Sequence, residues 1–161
     1  MAEENNNTTM VVFSGDLDKA IASFIIATGA AAMGDRVTMF FTFWGLNVLR
    51  KENYTSTENK NFMEKMFGKM MPKGPGKLGL SKMNMGGMGA KMMKKVMKDK
   101  NISTLPELME MAKELDVNIV ACTMSMDVLG IGKDELIDGI DYGGVATYLG
   151  EAYDAKVNLF I

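Results

Sequence analysis

No histidine occurs anywhere in the 161 residues, and there is a single cysteine, Cys122. The missing histidine removes Cys–His and Ser–His–Asp nucleophile pairs, the zinc deaminase and zinc protease motifs, and any histidine acid–base relay. One cysteine cannot close an internal disulfide, and an intracellular thiol stays reduced. No apolar run reaches the roughly 20 residues needed to span a bilayer as a helix. The most apolar stretch, Ala20 to Met33, is followed by Gly34, Asp35 and Arg36. The first residues, Met1 to Thr9, are acidic and asparagine-rich, unlike the basic start and apolar run of a secretory signal. A cytoplasmic location is expected. No G-x-G-x-x-G or P-loop pattern is present, so a nucleotide cofactor is not expected.

What is abundant is unevenly distributed. The net charge is −2, with 47% hydrophobic and 24% charged residues, the balance of an ordinary globular chain. Between Lys60 and Lys100, however, eleven lysines face only Glu64 and Asp99, a local charge of +9, against −11 for the remainder. Ten of the eighteen methionines fall in the same window. Residues 1–161 are therefore read as one domain carrying a basic, methionine-rich insertion at about 60–100.

The rest of the chain alternates strand and helix signals. Met10 to Phe13 reads as a first strand, and Asp16 is placed to cap a helix with Leu17, Ile21, Phe24, Ile25 and Thr28 on one face. That helix is apolar nearly all round, and Gly34 is placed to end it in a left-handed conformation. Val37 to Phe43 predicts a second strand, with a helical turn at Leu46 to Lys51. Inside the insertion, Met63, Met66, Phe67 and Met70 predict one amphipathic helix and Met92, Met93, Val96 and Met97 another. Pro72, Gly74, Pro75, Gly76 and Gly79 lie between them as a flexible loop. Thr104-Leu105-Pro106-Glu107 is a capping box, opening a helix with Leu105, Leu108, Ala112 and Leu115 buried. Asn118 to Met124 is a near-continuous apolar strand. Gly132 to Ile137 predicts a short helix and Ile140 a brief strand. Asp141 is expected to cap a helix with Val145, Tyr148, Leu149 and Ala152 inward, and Val157 to Ile161 a last strand. This alternation predicts a three-layer α/β/α sandwich with about five mostly parallel strands.

In open parallel sheets, ligands sit beyond the carboxyl ends of the strands. Three such ends are identifiable: Ser14-Gly15-Asp16, Thr42-Phe43-Trp44 and Cys122-Thr123-Met124-Ser125. Only the third holds a nucleophile. A helix start directly after Cys122 would place unpaired N–H groups near the sulfur and favour its thiolate, with Thr123 and Ser125 as further hydroxyl donors. The competing reading is that Cys122 is an inert small hydrophobe in an apolar strand. Gly15 serves a turn or an anion site, Asp16 a cap, and Trp44 either packs or roofs a pocket. The methionines allow a copper(I) reading, but an adaptable apolar surface covering a partner is favoured. The basic amphipathic helices suit an acidic protein or an anionic membrane surface. Nucleic acid is not expected, because aromatic residues do not interleave with the lysines.

The run Ala121-Cys122-Thr123-Met124-Ser125-Met126-Asp127-Val128-Leu129-Gly130-Ile131 resembles the cysteine motif of the DsrE/DsrF/DrsH-like sulfur-relay family. Phe41-Thr42-Phe43-Trp44-Gly45-Leu46, the segment Ser81 to Lys91, and Glu135 to Ile140 with Gly143 to Tyr148 agree with the branch that carries a Met/Lys/Gly-rich insertion. The resemblance covers nearly the whole chain from Met10 onward. It implies a DsrE-like three-layer fold, a homo-oligomer, and a cysteine that accepts sulfane sulfur as a persulfide from rhodanese-like or TusA-like partner proteins. The site residue it implies is Cys122 alone. The peroxiredoxin label sometimes given to this branch finds no support, since no second cysteine can resolve a sulfenic acid. Two functions are therefore carried forward: a sulfur carrier working through Cys122, and a non-catalytic binding protein with an inert Cys122 and a basic docking lobe.

Overall fold

Strands and helices alternate as the sequence predicts. In a computed structural model, which describes residues 6–54, 56 and 59–161, the chain begins β1 (Asn7–Val12), α1 (Leu17–Ala32) and β2 (Arg36–Phe41). A 3-10 stretch, Phe43–Leu49, precedes α2 (Phe62–Met70) and α3 (Met88–Asp99). Then come α4 (Leu105–Glu114), β3 (Asn118–Cys122), α5 (Thr123–Leu129), β4 (Asp141–Gly143), α6 (Val145–Tyr153) and β5 (Val157–Phe160). The sheet order is β4-β3-β2-β1-β5, and every pair is parallel. Parallel neighbours cannot be joined by tight turns, which is why each connection carries helix. The signal-peptide reading rests largely on residues 1–5, which lie outside the described residues. Among the described residues, no helix is long and apolar enough to cross a membrane.

Residue parity divides the sheet between its two faces. Met10, Val12, Met39, Phe41, Ile119 and Ala121 join Leu17, Phe24, Leu105 and Leu108 in the main core under α1 and α4. The alternate residues Phe40, Val120 and Cys122 form a second, smaller cluster with Val11 and with Tyr148 of α6. One face is thus covered by two long helices and the other by α6, giving the three layers. Cys122 belongs to the thinly covered side.

Several local expectations change. Ile25 is exposed rather than part of the buried stripe of α1, which runs through Leu17, Ala20, Phe24, Ala27 and Thr28. That stripe is as wide as the contact with the sheet and α4, and Ile25 falls beyond it. Leu115, expected buried, is the exposed cap residue just past the end of α4. Asp141 does not cap α6: it pairs with Val120 inside β4, and the cap position is Gly144. Val145 and Leu149, expected inward, are exposed. Asp16 occupies the cap position of α1 without a side-chain cap bond, and accepts instead from the Ser14 hydroxyl at 3.0 Å.

The insertion is stitched into the body. Met71, Leu78 and Ala90 are buried in the main core. The carbonyl of Gly79 accepts the Leu17 N–H at 2.7 Å, satisfying one amide that the start of α1 would otherwise leave unpaired. Asp18 then accepts from Ser81 twice, from the backbone N–H at 2.8 Å and from the hydroxyl at 2.5 Å. Burial alone would push the Asp18 carboxyl up, but these two bonds, with Lys19 nearby, hold it below the usual carboxylate value. A depressed carboxylate contributes stability above its unfolded pKa and loses it as pH falls through the folded one. Amide exchange in residues 78–84, corrected for intrinsic rates, should therefore accelerate as pH drops below about 4. Asp18→Asn should abolish that pH dependence.

Candidate functional site

The carboxyl ends of β1, β2 and β3 lie side by side, because neighbouring parallel strands end at the same edge of the sheet. Close backbone contact locks the first two. The Gly45 N–H donates to the Phe13 carbonyl at 2.8 Å, and a Cβ at Gly45 would lie 2.0 Å from the Val12 carbonyl oxygen. A Cβ at Gly15 would lie 2.5 Å from the Trp44 carbonyl oxygen. Both glycines are therefore needed for close approach. Between them Phe43 adopts φ 46°, a left-handed conformation that costs an L-residue about 1 kcal/mol. Its ring packs against Phe13 at 5.6 Å, and Phe13 stacks on Phe160 at 5.7 Å. Trp44 is half-exposed beside them.

Cys122 is both the last residue of β3 and the cap residue of α5, with φ −71° and ψ 113°. It is opposite Gly143 of β4 in the parallel register. No loop separates strand from helix, so the first-turn N–H groups of α5, which lack intrahelical partners, follow directly on the cysteine. Cys122 as a residue is only 4% exposed, in the cluster on the α6 side. The cluster it shares is aromatic: the rings of Phe40 and Tyr148 are 5.4 Å apart.

The hydroxyls beside the cysteine are engaged elsewhere. Ser125 is fully buried and shares a 2.7 Å hydrogen bond with the hydroxyl of Thr42 at the end of β2. The Thr123 hydroxyl donates to the Gly143 carbonyl at 3.4 Å. Ser125 thus joins β2 to α5, and Thr123 joins α5 to β4. Gly15, Asp16 and Trp44 sit at the neighbouring strand ends, where Asp16 also pairs with Lys19 at 3.2 Å. Two clefts of about 680 and 630 Å³ lie elsewhere, against α4 and the residue 75–76 turn, and neither is lined by Cys122.

Sequence reasoning missed Tyr148 as a residue packed against the Cys122 cluster and Thr42 as the partner of Ser125. The signal was available in part. Thr42 follows the last residue of β2, and Tyr148 is the aromatic residue midway along the one helix between β4 and β5. It also missed Arg50 and Glu135, whose side chains are almost wholly buried as a 3.3 Å ion pair. Burial pulls the Arg50 guanidinium down from its usual pKa, while Glu135 opposes that. Charged residues 85 positions apart give no local sign of pairing.

Removing one hydroxyl of the Thr42–Ser125 pair strands the other in the interior. Thr42→Val and Ser125→Ala should each cost about 1–3 kcal/mol of stability in urea unfolding. The double variant should cost clearly less than the sum, because the unsatisfied partner is then gone as well. Simple additivity would show that the bond carries no coupling.

Comparison with known proteins agrees with the fold and the resemblance. A model of the DsrE/DsrF/DrsH-like family matches residues 4–160. The chain is 60% identical over 161 residues to the uncharacterized protein YrkE of Bacillus subtilis, covering all of both chains. It is 37% identical over 163 residues to the sulfur carrier protein DsrE2 of Allochromatium vinosum, covering 98% of this chain and 99% of that one. Among solved structures, the YchN protein of E. coli superposes with a TM-score of 0.53 at 10% identity, over 96% of this chain and 99% of that one. The protein of unknown function MTH1491 of Methanobacterium thermoautotrophicum superposes with a TM-score of 0.54 at 12% identity, over 97% and 99%. At such identities these two structures speak for the fold alone.

Proposed function

The chain belongs to the DsrE/DsrF/DrsH-like family, and on that premise we propose that it carries sulfane sulfur as a persulfide on Cys122 and hands it to an acceptor thiol. The observation that carries this reading is the place of Cys122, the chain's one thiol, at the carboxyl end of an inner parallel strand and the start of a helix. A homologous chain of nearly equal length is a named sulfur carrier, which supports the same class of role here. The Cys122 thiolate attacks the outer sulfur of a donor persulfide. A new S–S bond forms on Cys122, the donor's S–S bond breaks, and the donor leaves as a thiolate. Transfer onward repeats the exchange with an acceptor thiolate, so no net oxidant is consumed. With one cysteine per chain, donor and acceptor are other molecules, of the rhodanese-like or TusA-like kind.

Two surface features support partner contact. The lobe from Lys60 to Lys100 carries +9 and exposes Met63, Met70, Met83, Met88 and Met92, an adaptable apolar surface set among lysines. It suits an acidic partner protein, with peripheral contact to an anionic membrane as the other outcome. On the thinly covered face, Tyr153 is 82% and Phe160 71% exposed. Such apolar exposure supports a closed homo-oligomer. Light scattering at micromolar concentration should then report a species larger than a monomer. Binding of the intact protein to an acidic partner should weaken as salt rises.

The binding-protein reading has one observation in its favour, the 4% exposure of Cys122. Intact mass spectrometry separates the two. After incubation with a small-molecule persulfide donor, the native chain should gain the mass of one sulfur atom, lost again on reduction. Cys122→Ser should fold and gain nothing. A native chain that stays unloaded under conditions that load free cysteine would leave only the binding role.

A further inference from the structure

A cysteine residue that is only 4% exposed reacts when something near it opens. The helix that starts directly at Cys122 is α5, seven residues long. Its amino end is held by Thr42 through Ser125 and by Gly143 through Thr123. Its carboxyl end is held by the lobe. Gly130, left-handed at φ 66°, ends the helix, and its carbonyl accepts from Lys60 Nζ at 2.6 Å. The first turn of α2 closes over the same residue: a Cβ on Gly130 would lie 2.5 Å from Cγ of Glu64. Lys60 is itself fixed by an ion pair to Glu135, whose other oxygen meets the buried Arg50. The Glu135 carboxylate also accepts the Gly132 N–H at 2.7 Å. The route from the basic lobe to the cysteine is thus short: Lys60 and Glu64, Gly130, then one small helix.

We propose that Lys60 and Glu64 are positioning residues that latch the carboxyl end of α5 at Gly130, and so set how often the Cys122 sulfur opens to a reactant. The latch sits in the same segment that carries the lysine and methionine surface. A partner that binds this surface and draws Lys60 or α2 away from Gly130 loosens α5 at the moment a sulfur donor or acceptor is at hand. Between encounters the closed latch keeps the sulfur from adventitious oxidants. The purpose given to the latch rests on the sulfur-carrier reading, but the coupling itself does not.

The full-length chain is pulsed with iodoacetamide under native conditions, and alkylated Cys122 is counted by mass spectrometry. Lys60→Met removes the bond to Gly130 while Arg50 still pairs with Glu135. Gly130→Ala attacks the same contact from the other side, forcing Glu64 off α5. Lys94→Met serves as control, because Lys94 bonds the Gly76 carbonyl and does not touch α5. Loss of one charged hydrogen bond should raise the opening equilibrium, and with it the alkylation rate, about tenfold in each latch variant and not in the control. Amide exchange in α1 should stay at the wild-type rate. An unchanged alkylation rate in a folded latch variant overturns the proposal. So does acceleration of α1 exchange by the same factor, which would mean general destabilisation. Because iodoacetamide needs no sulfur donor, the two readings fail separately: faster alkylation with no persulfide loading sinks the carrier and keeps the latch.

Discussion

At the end of β3 there is no loop. Cys122 is the last residue to pair in the strand and the first to cap the helix, so the position of its sulfur is set by the sheet on one side and by α5 on the other. Everything proposed about this protein depends on that junction. The sheet part is rigid, since β3 lies between two parallel neighbours. The helix part is not, because seven residues make too few intrahelical bonds to be stable alone. The site therefore joins a fixed strand end to a short helix that depends on its tertiary contacts.

Those contacts explain how burial and reactivity can coexist. The cluster that buries Cys122 is small: Phe40 and Val120, with Val11 and Tyr148 packed against it, on the face that carries α6 rather than the α1–α4 pair. The inward side chains of α5, Met126 and Leu129, belong to the main core instead. Polar ties concentrate at the two ends of α5, the hydroxyl pair at one and Lys60, Gly130 and Glu135 at the other. Such ties are directional and depend on geometry, so a small displacement breaks them where apolar packing would merely slide. The insertion contributes one of them, which makes it part of the site's mechanics as well as a surface.

Much of the architecture was legible because period and punctuation agree. The alternation of Met10 to Phe13, Val37 to Phe43 and Asn118 to Met124 with amphipathic segments specifies a parallel α/β sheet, and Thr104 and Glu107 close the predicted capping box. Cys122 was legible as a strand-end residue. Its face was not, because parity has meaning only once the register to Phe40 and Phe41 is known. The helix expected to start at Asp141 starts later, since a three-residue edge strand has too short a pattern to separate from its cap. Arg50, Lys60 and Glu135 were invisible for a different reason. A buried charge is recognised by its partner, and these partners are brought together only by the fold.

The central claim is that Cys122 reacts from the folded state through a local opening. The direct measurement is the alkylation rate of the unmodified chain as a function of urea, well below its unfolding transition. A local opening exposes little surface, so the rate should begin on a plateau independent of urea and climb only near the transition. A rate that rises from zero urea with the full slope of global unfolding would mean that the sulfur is reached only when the protein unfolds, and would contradict the account.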